Sequence, residues 1–278
     1  RIDDVEVTLG DTAAISQGIG AFASRQAINA GNSAMIAAKN VRKQIQTAAA
    51  DLLNVAPDDI EIENGQAFSK LGNKPAISFA DLAREAQGVP GFSLKPGQSI
   101  GFENTAYFAP PQATYCSGTH ICEVEVDIGT GKVTILNYTI AHDCGRIINP
   151  IIVDGQVQGG LAHGIGNALL EWMKYDQNAQ PVTTSFGDYL LPLATDVPTA
   201  HIEHIVTPTP NNPLGVKGAG EGGTIPAAAA IISAIEDALS PYGVRITKTP
   251  IVPEAIIEEL KKSKNYSWKQ AALHTYQE

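Results

Sequence analysis

Val5, Val7 and Leu9 alternate with Asp4, Glu6 and Thr8. That is the period-two pattern of a half-buried strand, and Gly10 closes it with a turn. The pattern returns at residues 56–64, where Asp-Asp-Ile-Glu-Ile echoes the opening Asp-Asp-Val-Glu-Val. Between the two copies, Ile36, Val41, Ile45, Ala48 and Leu52 recur near helical spacing and predict a helix from about Gly31 to Leu53. Ser78-Phe-Ala-Asp81 has the form of a capping box with Asp as the acid, and it opens a short helix to Ala86. Residues 87–119, rich in Gly, Pro and aromatics, read as irregular loop. Cys122, Val124 and Val126 then alternate with Glu123, Glu125 and Asp127. With Gly129-Thr-Gly131 as the turn and a return strand from Val133 to Ala141, they predict a hairpin.

Residues 143–171 have helical periodicity in their C-terminal part, yet carry Gly155, Gly159, Gly160, Gly164 and Gly166. Glycine inside a helix costs roughly 1 kcal/mol relative to alanine. Such a helix needs a second backbone or a bulky cofactor against it. Residues 184–213 read as loops and short strands broken by prolines. An Ala/Ile-rich helix follows from Pro226 to Leu239, and a last helix starts at Pro253-Glu254 and continues through residues 256–262. The fold class expected is α+β, mixed α/β. It is read as one domain over 1–278, or two interlocked halves of about 1–120 and 121–262 with a polar tail 263–278.

The formal net charge of -10 argues against a nucleic-acid or anionic-membrane surface. No apolar run approaches membrane-spanning length and no signal peptide is read, so neither membrane nor nucleic acid is an expected partner. The chain begins without Met and reads as a processed subunit or a product whose preceding segment is missing. Cys116, Cys122 and Cys144 form no C-x-x-C pair, so an iron–sulfur or zinc framework within the chain is not expected. An odd count without a secretory signal fits a reducing, cytoplasmic setting.

Chemistry concentrates in three glycine-rich places. Residues 213–224 set one carboxylate, Glu221, among Gly215, Gly218, Gly220, Gly222 and Gly223, just before a helix. An acid in such a loop is poorly placed for packing and well placed for proton transfer; the plain alternative is a flexible surface turn. Residues 18–25, ending in Ala23-Ser-Arg25, can offer backbone N–H groups, a hydroxyl and a cation to a phosphate. This is not the dinucleotide fingerprint G-x-G-x-x-G. The stretch from Gln156 to Gly166 adds two amide side chains, Gln156 and Gln158, that both donate and accept. Together the three point to a large polar cofactor beside an acid/base group. His142, Asp143 and His163 are read as structural or packed, and Trp172 and Tyr175 as capping a core edge.

Four stretches, Gly20 to Arg25, Asp143 to Pro150, Asp154 to Gly160 and Gly215 to Gly223, resemble in order and spacing the molybdenum hydroxylases. This is the xanthine dehydrogenase / aldehyde oxidase family in its bacterial form. The resemblance covers about residues 1–260 and matches the C-terminal part of the family's molybdopterin-binding subunit. Some members, such as nicotinate dehydrogenase, divide that subunit between two chains.

The resemblance implies roles. Glu221 matches the general base, which takes the proton from a molybdenum-bound hydroxyl as its oxygen attacks an electron-poor carbon and hydride passes to a sulfido ligand. Gln156 matches a glutamine that hydrogen-bonds an oxygen on molybdenum. Gly20, Ala21, Phe22, Ala23, Ser24 and Arg25 match a loop that holds the pterin and its phosphate. Gly218 and Gly220 match the backbone beside the base. Lys217 matches a lysine close to it, where a cation would favour the ionised carboxylate. The metal is held by the pterin dithiolene, so protein metal ligands are not required. The implied cofactor is molybdenum with molybdopterin, in the cytosine dinucleotide form. Implied partners are a chain with the N-terminal molybdopterin-binding half, an iron–sulfur subunit, an FAD subunit and a small-molecule substrate. The implied reaction hydroxylates an N-heteroaromatic or aldehyde substrate with oxygen from water. The family's earlier glycine-rich loops and most pocket-lining residues have no counterpart here, so turnover needs other chains. A non-catalytic cofactor-binding or assembly subunit is the rival reading; retention of both Glu221 and Gln156 argues against it. A generic phosphate-binding module would need a strand-linked phosphate loop, which the sequence lacks.

Overall fold

The computed structural model describes residues 2–15, 18, 20–72, 74–87 and 100–268. Helices and sheets are mixed, as expected, in two compact units. One comprises Arg1–Ala21 with Asn29–Pro110, the other Phe22–Ile28 with Pro111–Glu278.

In the first unit, helix α1 (Asn32–Leu53) ends at Asn54, whose left-handed φ of 49° lets its N–H turn back to the last carbonyls. A 3-10 turn, Pro57–Asp59, leads into β1 (Ile60–Glu63), which pairs antiparallel with β2 (Gln66–Ser69). The connection is Asn64-Gly65, both with positive φ, as a tight hairpin turn needs. β3 (Ile77–Ser78) completes the sheet in the order β1-β2-β3. Helix α2 (Phe79–Gln87) is capped as the sequence predicts: Ser78 Oγ accepts the Asp81 N–H at 3.1 Å and donates to Asp81 Oδ2 at 2.6 Å. Ile45, Ala49, Leu53, Ile60, Ala67 and Leu82 bury themselves between helices and sheet.

The opening strand is not formed. Residues Ile2–Asp4 make a 3-10 turn, no ladder follows, and Val5, Val7 and Leu9 are 62%, 69% and 81% exposed. A strand is defined by its partner. The second copy of the motif turns back on itself through Asn64-Gly65, whereas the first continues into Gly10-Asp-Thr with no returning alternation.

The second unit is built on β4 (Ser117–Val126) and β5 (Val133–Asp143), an antiparallel hairpin with a bulge at Glu123/Val124. Both strands run past the predicted ends. The loop expected to reach residue 119 gives way to strand at Ser117, and its residues 88–99 lie outside the described chain. β6 (His201–His204) adds parallel to β5. Across the inner face pack α3 (Pro150–Ile165), α4 (Ala227–Ala238) and α5 (Pro253–Lys262). Their core includes Tyr138, Ile140, Val157, Leu161, Ile165, Ile231, Ile235, Ile256 and Leu260. α3 starts where Asn149 caps it, accepting the Ile152 N–H, with Pro150 in its first turn. Among the described residues, no helix is long and apolar enough to cross a membrane. Of the polar tail, residues 269–278, with Tyr276, lie outside the described chain.

The glycines of α3 divide by side. A Cβ on Gly160 would lie 2.7 Å from the Gly223 backbone, and one on Gly164 2.3 Å from Ala227 Cβ. These two permit close backbone approach. Gly155 and Gly159 meet nothing within 4 Å among the described residues and line an open face.

Candidate cofactor and base site

Three separate segments of the second unit converge beside α3. Loop 215–223 is pinned first. Gly145, at φ 70°, lets Gly215 O approach so closely that a Cβ would stand 2.3 Å from it, and Arg146 N donates to that same oxygen at 3.0 Å. Lys217 N donates to Cys144 O at 2.7 Å. At the far end, Gly223 rests on Val157 and Thr224 Oγ1 donates to Gly160 O at 3.1 Å. The stretch between, Gly218 to Gly222, forms no helix or strand; Gly218 N donates to Thr114 O at 3.0 Å and Gly222 N to Ala219 O at 3.2 Å.

Ser24 constrains that stretch further. Its hydroxyl donates to Glu221 Oε2 at 2.8 Å and accepts the Glu221 N–H at 3.0 Å. Gly218 lets the two strands of backbone pass: a Cβ there would meet Ser24 Cβ at 2.9 Å and Ser24 O at 3.0 Å. Ala23 and Ser24 both hold left-handed φ, 51° and 53°. That conformation costs an L residue on the order of 1–2 kcal/mol, so the turn persists because its contacts hold it. Gln156 arrives from the first turns of α3. A Cβ on Gly220 would sit 3.4 Å from Ser24 Oγ and 3.6 Å from Gln156 Oε1. Ser24 is half-buried, while Gln156, Gly220 and Glu221 are exposed to solvent.

The remaining expected residues fall as follows. Phe22 and Arg25 are local to the Ser24 turn, with the guanidinium 4.5 Å over the phenyl ring. Gly20, at φ 77°, and Ala21 belong to the first unit and are exposed. Ile19, in the same stretch, lies outside the described residues. Lys217 is engaged elsewhere than expected. Its ammonium pairs with Asp143 Oδ2 at 3.0 Å, both side chains being largely buried. β5 delivers Asp143 to that place, where it also accepts the Gly145 N–H at 2.8 Å and the Thr207 N–H at 3.2 Å. Burial raises the pKa of this carboxyl, but the Gly145 amide, Lys217 and Thr207 together outweigh it and hold it at about 2. Asp143 is thus the clasp that fixes Lys217 and the loop start, in keeping with a structural reading.

Gln158 also departs from expectation. Its side chain donates to Pro198 O at 2.9 Å and accepts from Ala200 N at 3.3 Å, binding the segment before β6. Trp172 and Tyr175 are exposed rather than seated at a core edge, and Lys174 lies 4.4 Å over the Trp172 ring. His163 is exposed on α3. The long-range bond of Ser24 to Glu221 has no signature in the sequence beyond the hydroxyl itself.

A hydroxyl, a carboxamide, a carboxylate and bare glycine backbone meet next to the open Gly155/Gly159 face. This set can hydrogen-bond a large polar group and move a proton beside it. Among the described residues no three His, Cys, Asp or Glu side chains group as metal ligands. The donors present fit a pterin-type carrier.

Comparison with known proteins agrees with this chemistry. Residues 1–198 match the molybdopterin cofactor-binding domain model. That span includes Ser24 and Gln156 and stops short of Glu221. The chain is 36% identical over 257 residues to the 6-hydroxypseudooxynicotine dehydrogenase complex subunit gamma of Paenarthrobacter nicotinovorans, covering 91% of this chain and 32% of that protein. It is 31% identical over 258 residues to the carbon monoxide dehydrogenase large chain of Hydrogenophaga pseudoflava, covering 93% and 32%. The crystal structure of quinoline 2-oxidoreductase from Pseudomonas putida 86 superposes with a TM-score of 0.79 at 38% identity, covering 88% of this chain and 31% of that one. The chain thus spans about a third of the length of the curated relatives it matches. By these matches, and by a fold that its solved relatives share, the chain belongs to the molybdenum hydroxylase family, as part of the molybdopterin-binding region.

Proposed function

We propose that this chain carries the general base and one wall of the cofactor site of a molybdenum hydroxylase. Its substrate is an N-heteroaromatic ring or an aldehyde. The convergence of Ser24, Gln156 and Glu221 supports the reading most directly. The names of the quinoline and nicotine relatives favour the heteroaromatic class. A molybdenum–molybdopterin group, in its cytosine dinucleotide form, supplies oxygen drawn from water and takes up two electrons when bound. The electrons leave through iron–sulfur and FAD subunits, and a further chain supplies the cofactor loops absent here. The setting is cytoplasmic.

The residues divide the labour. Glu221 accepts the proton of the attacking hydroxyl. Ser24, bonded to Oε2, fixes the carboxylate's rotation and leaves Oε1 for that proton. A positioned base contributes about 10²–10⁴-fold. Gln156 would hold the cofactor through its carboxamide. The Phe22–Arg25 turn carries a cation and backbone N–H groups that would hold an anionic pterin phosphate. Lys217 acts through Asp143 to hold the loop's start rather than on the carboxylate.

Glu221→Gln in the assembled enzyme tests the assignment. The amide keeps the shape and can still accept the Ser24 hydroxyl bond, but it cannot take the proton. Turnover should fall about 10²–10⁴-fold with cofactor content unchanged by metal analysis. Near-full activity would remove Glu221 from its role.

A further inference from the structure

Beneath the Glu221 loop lies a histidine that the proposed reaction does not use. His142, on β5, is 1% exposed, and neither ring nitrogen has a hydrogen-bond partner among the described residues. A buried, unpaired polar ring is a poor filler, because an apolar side chain of similar shape would lose no hydration. Its surroundings show what it touches. β4 offers Gly118 directly opposite, so no side chain crowds it from that strand. On one side its Nε2 stands 2.7 Å, and its Cδ2 3.1 Å, from where a Cβ on Gly222 would be. Gly222 is the residue after Glu221. On the other side the ring meets His204, with centroids 5.8 Å apart at 77°. His204 Nε2 lies 2.6 Å from Asp154 Oδ1, and Asp154 stands on α3 two residues before Gln156.

We infer that His142 is a positioning residue for Glu221: its ring is the floor on which the Gly222 backbone rests, and through His204 and Asp154 that floor is tied to the helix carrying Gln156. The inference rests on the proposed role of Glu221. Loop 218–222 has no ladder or helix to fix its height; Gly218 N donates to Thr114 O at 3.0 Å at its start, and Ser24 grips Glu221 beyond it. The imidazole limits how far the loop can sink, and Gly222 lacks a side chain because the imidazole occupies that space. The His204–Asp154 contact keeps the support in register with α3, so carboxylate and carboxamide keep a constant separation.

The test uses the assembled, cofactor-loaded enzyme and two readouts. His142→Ala should lower kcat about tenfold with KM unchanged, yet have no further effect on the residual turnover of Glu221→Gln. An unchanged kcat, or an equal loss in both backgrounds, overturns the inference. Asp154→Asn, at an exposed side chain, does not depend on a core variant folding. It should lower kcat about threefold with the same dependence on Glu221, and a wild-type kcat would overturn the tie to α3. Independently of turnover, Gly222→Ala should lower the thermal unfolding midpoint, and Gly222→Ala with His142→Ala should lose less than the two single effects combined. Strict additivity overturns the contact. Should Glu221→Gln instead keep full activity while this stability coupling holds, the base assignment fails and the packing of His142 on Gly222 stands.

Discussion

Ala23 and Ser24 hold the left-handed region side by side without being glycine, and only the contacts of Ser24 account for it. The reciprocal bonds to Glu221 are the visible compensation. Ser24→Ala removes both bonds and keeps the backbone cost, so the turn should relax and turnover fall about tenfold. Ser24→Gly removes the same bonds but relieves roughly 1 kcal/mol of strain. It should therefore unfold at a higher temperature than Ser24→Ala while matching its low kcat; equal midpoints for the two would show that the turn is not strained. Glu221 stood out in the sequence as a candidate because an acid among five glycines is poorly placed for packing. Gln156 was legible by resemblance to the family motif. The bond from Ser24 to Glu221 was not, since it spans 197 positions and any surface serine looks the same. The pairing of Lys217 with Asp143 was not legible either, since β5 brings that carboxylate to it from 74 positions away.

At the scale of elements, α3 carries two kinds of glycine that periodicity alone cannot separate. Gly160→Ala and Gly164→Ala place a methyl within 3 Å of atoms on Gly223 and Ala227. Neither neighbour has a flexible side chain to swing aside, so each variant should lower the thermal midpoint. Gly155→Ala and Gly159→Ala meet open space and should raise helix stability by roughly 1 kcal/mol each. If the cofactor covers that face in the assembled enzyme, the same two variants should retain less molybdenum. A gain in stability with full metal content would place the cofactor elsewhere. The hairpin β4–β5, the capping box before α2 and the C-terminal end of α1 were legible because each is specified locally by alternation, turn glycines or caps. The strand expected at Val5 to Leu9 failed because half of what defines a strand lies in another segment, and the similar motif at Ile60 to Glu63 shows what that segment supplies.

For the molecule as a whole, acid stability turns on buried imidazoles. Burial is the main cause lowering the pKa of both His120 and His142; His142 further lowers that of His120, and His204 that of His142, against an opposing pull from Asp143. Their folded values lie below 6.5, so the unfolded chain binds more protons than the folded one below that pH. Stability should be fully present above 6.5 and fall as pH drops through the lowered folded values. Unfolding midpoints between pH 5 and 7 measure this, and His142→Phe should flatten the slope. A wild-type slope in that variant would mean His142 is already charged. The second unit also exposes Ile148, Ile151, Ile152, Ile205, Val206 and Ile225. On the proposed assembly, the isolated chain should bind an exposed-surface dye and the complex should not. The clasp between Ser24 and Glu221 has a consequence for assembly order. One hydroxyl belongs at once to the turn proposed to hold the cofactor and to the loop proposed to hold the base. Whatever free energy cofactor loading contributes to fixing the carboxylate, a fixed carboxylate returns to loading, because linked equilibria are reciprocal. Glu221→Ala, which breaks the clasp, should then weaken cofactor retention where Glu221→Gln does not, so that a residue chosen for proton transfer also sets how firmly the enzyme keeps its metal.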